Sequence, residues 1–228
     1  MREIILDTET TGLDPKSGHR IVEIGCVELF NHLPTGNTYH QYINPQRFMP
    51  SEASRIHGIT DIFLEDKPLM ESVIHDFLTF IGDSPLVIHN AAFDMKFLNA
   101  ELVWLNLPEI PMVRAIDTLR IARQKFPGSP ASLDALCKRF GIDNAMRDKH
   151  GALLDSYLLA DVYLELIGGR QPNLQLQRSH KTDTDSNLTV TRPYREPRTF
   201  PPCPADTANH DAFMRTIANS LWSKTPNK

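Results

Sequence analysis

Asp7 and Glu9 stand two residues apart at the end of the apolar run Ile4-Ile5-Leu6, and that spacing decides what they can do. Such a run, with two β-branched members, reads as a buried strand, on which positions i and i+2 project from one face. Both carboxylates point the same way. Side by side in a poorly solvated place they repel one another, so burial alone would protonate them rather than hold both ionised. A hard divalent cation such as Mg²⁺ or Mn²⁺ resolves the conflict, and the Thr10-Thr11-Gly12 turn offers backbone groups beside whatever the metal holds. An isolated Asp-x-Glu more often ends a strand in solvent. The pair needs partners elsewhere in the chain.

Two such places are visible. Leu86-Val87-Ile88-His89 is a short strand-like run between Pro85 and Asn90, followed by a helical pattern from about Phe93 through Phe97, Leu98, Leu102 and Leu105. Asp94 falls in the first turn of that helix, where the macrodipole favours an anion. His150 and Asp155 open a late helix. On a continuous helix residues five apart lie about 140° from each other and could not share a ligand. Gly151 permits His150 to sit on the loop before the helix, so that its imidazole swings over the spot Asp155 faces. Four carboxylates and one imidazole from three places suit two-metal phosphodiester hydrolysis, in which ions about 3.5 to 4 Å apart clamp the attacking and leaving oxygens. A histidine beside them, with an unperturbed pKa near 6.5, can take the proton of the attacking water.

The elements that must position these groups follow from the pattern. Arg20 to Phe30 alternates apolar residues, Thr38 to Asn44 is rich in strand formers, and Asn31, Pro34, Gly36 and Asn37 supply turn chemistry between them. The first three strands are expected to form an antiparallel meander. Ser51 is expected to cap a short helix ending near His57-Gly58, and Pro68 opens a longer one closed by Gly82, with Leu69, Val73, Phe77 and Ile81 as its core stripe. Met112 to Ile116 is expected as a strand, Asp117 to Phe126 and Ser132 to Phe140 as helices around a Pro127-Gly128 break. The late helix is expected to present Leu153, Tyr157, Ala160, Leu164 and Ile167 on one face. Strands alternating with helices imply parallel pairing in this second half.

The chain has 228 residues, 41% hydrophobic and 23% charged, which suits one substantial domain with an appendage. A net charge of −4 means that any nucleic-acid partner is not captured by a broad basic surface. Three cysteines, Cys26, Cys137 and Cys203, are odd in number and far apart, which reads as reduced thiols in a cytoplasmic protein. No apolar run is long enough to span a bilayer or serve as a signal segment, so no membrane partner is expected. Domain boundaries are placed at 1–169, 170–204 and 205–228. The middle segment reads as a flexible linker, and Asp206 to Lys224 as an amphipathic tail carrying Phe213, Met214, Ile217, Leu221 and Trp222.

The segments Asp7-Thr8-Glu9-Thr10-Thr11-Gly12, His89-Asn90-Ala91-Ala92-Phe93-Asp94 and His150-Gly151-Ala152-Leu153-Leu154-Asp155 resemble the three motifs of the DEDDh family of 3′-to-5′ exonucleases, over about residues 1 to 170. The resemblance implies a ribonuclease-H-like α/β fold, a mixed sheet flanked by helices. It implies Asp7, Glu9, Asp94 and Asp155 as ligands of two divalent cations, Mg or Mn, and His150 as general base. It further implies that the turn containing Thr8, Thr10, Gly12 and Leu13, together with His57, Asn90 and Phe93, holds the terminal nucleotide of a single-stranded or frayed DNA 3′ end.

In proofreading members of the family the region beyond the catalytic domain tethers the exonuclease to a polymerase catalytic subunit. Phe213, Ile217, Leu221 and Trp222 are the residues expected to serve such a tail here. The peptide Gln171-Pro172-Asn173-Leu174-Gln175-Leu176 resembles the glutamine-led segments that bind a sliding clamp, with Gln171, Leu174 and Leu176 as contacts. Proofreading of a bacterial replicase is the function expected. A stand-alone RNA-trimming or repair exonuclease is the enzymatic alternative, and a non-catalytic scaffold stabilising a polymerase is the alternative of another class.

Overall fold

A computed structural model describes residues 1–145, 149–168 and 201–217. The chain divides into two units, Met1–Leu176 and Gln177–Lys228. The first is built on a five-stranded mixed sheet. Strands β1 (Arg2–Thr10), β2 (Ile21–Phe30), β3 (Leu33–Tyr42), β4 (Leu86–Ile88) and β5 (Ala115–Asp117) lie in the order β3-β2-β1-β4-β5. The first three pair antiparallel, as the meander predicts, while β4 joins β1 and β5 joins β4 in parallel. Its α-helices among the described residues are α1 (Ser51–His57), α2 (Asp61–Leu64), α3 (Met70–Ile81), α4 (Ala91–Trp104), α5 (Thr118–Lys125), α6 (Leu133–Phe140) and α7 (Ala152–Ile167).

The alternation of β1 sorts its side chains between two cores. Ile4 and Leu6 pack with Phe77 of α3 and with Phe97, Leu98 and Leu102 of α4. Ile5 packs with Leu136 of α6 and with Leu159, Val162 and Leu166 of α7. Asp7 and Glu9 continue the Ile5 row toward the start of α7, and Thr8 continues the Leu6 row toward the start of α4. The period of two thus aims one strand at both helix starts.

Three local expectations are corrected. The β2–β3 hairpin turns at Asn31 and His32, with φ of 51° and 67°, the paired positive values of a two-residue type I′ turn. Pro34, Gly36 and Asn37 lie inside β3 instead, which is an edge strand where proline is tolerated. Residues Met112–Arg114 form one 3₁₀ turn, and the strand begins only at Ala115. The third correction concerns α7, which buries Asp155, Ser156, Leu159, Val162, Tyr163 and Leu166, whereas Tyr157 and Ile167 are exposed. The buried face follows the sheet contact at Gly25. A Cβ on that glycine would stand 2.2 Å from the Ala152 carbonyl carbon, and the Ser156 hydroxyl donates to the Gly25 carbonyl at 2.9 Å. Only glycine lets α7 begin against the sheet, and Gly25 is the β2 partner of Asp7.

The thiols of Cys26 and Cys137 are buried and unbridged, and that of Cys203 is exposed. In the second unit, α8 (Pro204–Thr216) begins two residues ahead of the expected tail and ends before Ile217, which is extended at φ −89° and ψ 106°. Phe213 and Ile217 are exposed but do not share a continuous helical face. Gln171, Leu174, Leu176, Leu221 and Trp222, with most of the expected linker, lie outside the described residues. No helix among the described residues is long and apolar enough to cross a membrane.

Candidate active site

The carboxyl ends of β1 and β4 open into a cavity of about 770 Å³ lined by Asp7, Glu9, Asp94, His150 and Asp155 together. Ligand sites in open α/β sheets form at strand carboxyl ends, where loops and helix starts converge. Asp94 is 3% exposed, in the first turn of α4. It is held by Thr8, whose backbone N–H and hydroxyl both donate to one Asp94 oxygen, at 3.0 and 2.7 Å. Asn90, at φ 67°, caps α4 in the left-handed region that asparagine tolerates. Its N–H donates to Asp117 on the neighbouring strand at 3.2 Å. Next to it His89 lines the cavity with Nδ1 2.9 Å from the Thr118 hydroxyl.

His150 stands outside α7, in the loop that Gly151 makes possible, as the sequence predicts. Its Nδ1 is 3.3 Å from Asp155, which lies in the first turn of α7. The loop is fastened from an unexpected side, because the His150 N–H donates to the Ile56 carbonyl of α1 at 3.2 Å. The same short helix carries His57, buried, with Nδ1 accepting from the Ile59 N–H at 3.1 Å. Burial lowers the pKa of that imidazole below its ordinary value.

Crowded acids dominate the electrostatics. Burial, followed by the charges of Asp94, Glu9, Asp155 and Glu23, pushes Asp7 well above the usual carboxylate range. Burial also raises Asp94 to about 7, against the opposing hydrogen bonds from Thr8. These groups would share protons in the bare site, and a divalent cation would replace those protons with charge. The donor set fits such an ion. Ligand atoms of Glu9, His150 and Asp155 lie within 4.8 Å of one another, and the set is dominated by carboxylate oxygen, which suits Mg²⁺ or Mn²⁺.

A second cavity of about 520 Å³ is lined by Thr10, Gly12 and His57, and it shares Thr8, Glu9, Leu13 and Phe93 with the first. Asn90 lines only the first. Leu13 is 81% exposed at the junction. The loop that bears it is braced from behind. Arg20 grips the buried Glu101 through Nε and Nη2 at 2.8 and 2.7 Å, and its backbone N–H donates to the Thr11 hydroxyl at 3.0 Å. Sequence reasoning missed the roles of Gly25, Arg20 and Glu101, as well as the commitment of Thr8 to Asp94. None carries a local signal, because each depends on a neighbour distant in the chain.

The sequence profile of the family described as Exonuclease matches residues 4–163. The chain belongs to the exonuclease family. Among curated relatives of this exonuclease, a protein of Rickettsia felis named DNA polymerase III subunit epsilon is 51% identical over 222 residues, covering 95% of this chain and 97% of the relative. A protein of the same name from Salmonella typhimurium is 47% identical over 202 residues, covering 86% and 83%. The family reading made from the three motifs agrees with these relatives. A solved structure of exonuclease X in complex with 5′ overhanging duplex DNA superposes with a TM-score of 0.58 at 31% identity, covering 72% of this chain and 90% of that one. The nuclease domain of 3′hExo, described as a DEDDh family member bound to rAMP, gives a TM-score of 0.63 at 23% identity and covers 73% and 91%. It shares the fold of this exonuclease, a ribonuclease-H-like mixed sheet flanked by helices.

Proposed function

We propose that this exonuclease hydrolyses DNA from the 3′ end as the proofreading subunit of a bacterial replicative polymerase, with two divalent cations on Asp7, Glu9, Asp94 and Asp155 and with His150 as general base. One observation carries the reading: a single cavity is lined by all four acids and the imidazole. When bound, the cations would neutralise the phosphodiester and favour in-line displacement at phosphorus. Asp94, held by Thr8, and Asp7, held in β1 between β2 and β4, would present oxygens from neighbouring elements. A proton on His150 Nδ1 shared with Asp155 would make Nε2 the basic nitrogen, able to accept the proton of an attacking water.

The terminal nucleotide fits the second cavity, where Leu13, Phe93 and His57 offer shape and stacking but no base-specific pairing. Asn90 would contact it from the first cavity. Discrimination then comes from the duplex, since a mismatched end frays at lower cost and reaches the acids more often. The names of the relatives support DNA as substrate, a polymerase catalytic subunit as partner and the cytoplasm as compartment. Phe213, Ile217, Leu221 and Trp222 would serve that partner, and Gln171, Leu174 and Leu176 a sliding clamp. Tethering raises effective concentration, which suits a chain whose net charge of −4 gives it little general attraction to DNA.

The test is hydrolysis of a matched primer terminus, a mismatched one and a short RNA, by the full chain and by a 1–170 chain, each also used to capture the polymerase subunit. Faster release from the mismatch by both chains, with capture only by the full chain, is expected. Preference for the RNA, or no turnover in Mg²⁺ and Mn²⁺, would contradict the reading.

A further inference from the structure

Among the cavity-lining residues that the mechanism above does not use, one is a strong cation. Arg123 is the only lysine or arginine among the described residues that line the cavity. It projects from α5, is exposed, and its side chain makes no hydrogen bond, ion pair or ring contact with any described residue. An arginine facing a wall of acids would ordinarily pair with one of them, so a guanidinium left open here is available to an anion that arrives with the substrate. Charge balance asks for such a group. The four proposed ligand carboxylates and two divalent cations sum to zero, and Asp134 lines the same cavity, so each phosphodiester brings a negative charge that the acids and cations do not cancel.

The position says which phosphate. In the reading above, the terminal nucleotide takes the second cavity, which joins the first at Glu9, Leu13 and Phe93. Arg123, Ser129, Ala131 and Leu133 line the first cavity and not the second. With the terminal nucleotide in the second cavity, the strand on the 5′ side of the scissile bond has the part of the first cavity that the two do not share. We propose that Arg123 binds the phosphate immediately 5′ of the scissile one and so sets the register of the strand over the acids. The inference rests on the nuclease reading of the site.

The test is fluorescence anisotropy of a 5′-labelled oligo-dT against the full chain in Ca²⁺, over a series of KCl concentrations. The wild type is compared with Arg123→Ala and Arg123→Lys, using an ordinary oligonucleotide and one with an uncharged methylphosphonate at the penultimate linkage. Because Arg123 is exposed, both variants are expected to melt as the wild type does. Arg123→Ala should bind about 5- to 20-fold more weakly, and its slope of log K against log salt should fall by about 0.7. Arg123→Lys should keep the slope and recover part of the affinity. The methylphosphonate should weaken the wild type by a similar factor and leave Arg123→Ala no weaker than before. Unchanged binding by Arg123→Ala, or a methylphosphonate penalty equal in the two proteins, overturns this inference while leaving the nuclease reading intact. Failure of the wild type to bind any DNA overturns both.

Discussion

Asp94 and His150 reach the same cavity by opposite means. Asp94 is 3% exposed, sits on a helix and accepts two hydrogen bonds from Thr8. The side chain of His150 is 46% exposed, 3.3 Å from Asp155, on a loop whose backbone N–H donates to the Ile56 carbonyl. The difference matches the work proposed for each. Groups that hold ions must be fixed within a few tenths of an ångström, whereas a base that takes and releases a proton each turnover gains from contact with water. The acids are built into a strand and two helix starts, and the base is hung beside them.

The largest effect is expected on the fixed half. Asp7→Ala removes the strand-borne carboxylate proposed to hold the ions, and hydrolysis of a labelled primer should fall to background. Residual activity within tenfold of wild type would mean that the acids are not equivalent holders of the ions. His150→Ala should lower the rate roughly 10²- to 10⁴-fold and leave DNA binding unchanged. A comparable loss of binding would show that the imidazole holds substrate rather than moving a proton.

Intermediate effects test what fixes each half. Gly25→Ala places a methyl group against the Ala152 backbone, so the start of α7 must move, carrying Asp155 and the loop of His150. Stability should fall by about 1 to 3 kcal/mol, and activity by at least about tenfold, as read by thermal melting and primer hydrolysis. Thr8→Val keeps the shape but removes one donor to Asp94, which should weaken Mn²⁺ binding about tenfold in calorimetry, by loss of a charge-assisted bond. Equal Mn²⁺ affinity would make the remaining backbone N–H sufficient.

The smallest effect is on stability against pH. Asp7 and Asp94 have folded-state pKa values raised above their unfolded ones, Asp94 to about 7. The folded chain thus binds more protons than the unfolded chain as pH climbs from about 4 toward 7. In EDTA the melting temperature should decline across that window, and Mn²⁺ at pH 8 should restore it. A melting temperature that rises from pH 5 to pH 8 in EDTA would contradict the crowding of acids.

Much of the fixed half was legible in the sequence, because strand period and helix start are local properties. Asp7 and Glu9 declare a shared face by spacing alone, and Asp94 declares a helix start by position. His150 outside the helix was legible through Gly151. The buried face of α7 was not, since Leu153, Leu154, Leu158 and Leu159 surround the axis with apolar residues and any stripe can be drawn. Contact with Gly25 chose the face. The hairpin misled because Pro34, Gly36 and Asn37 look like a turn, while Asn31 and His32 make a tighter one and leave the proline on an edge. Thr8 reads as part of a substrate loop until Asp94 is found beside it.

The most direct measurement is a crystal of the chain soaked in Mn²⁺ with a mononucleotide, its ions located by anomalous scattering. Two peaks about 3.5 to 4 Å apart, ligated by Asp7, Glu9, Asp94 and Asp155 with His150 beside them, are the result expected. Peaks elsewhere, or one of the four acids turned away from both ions, would contradict it.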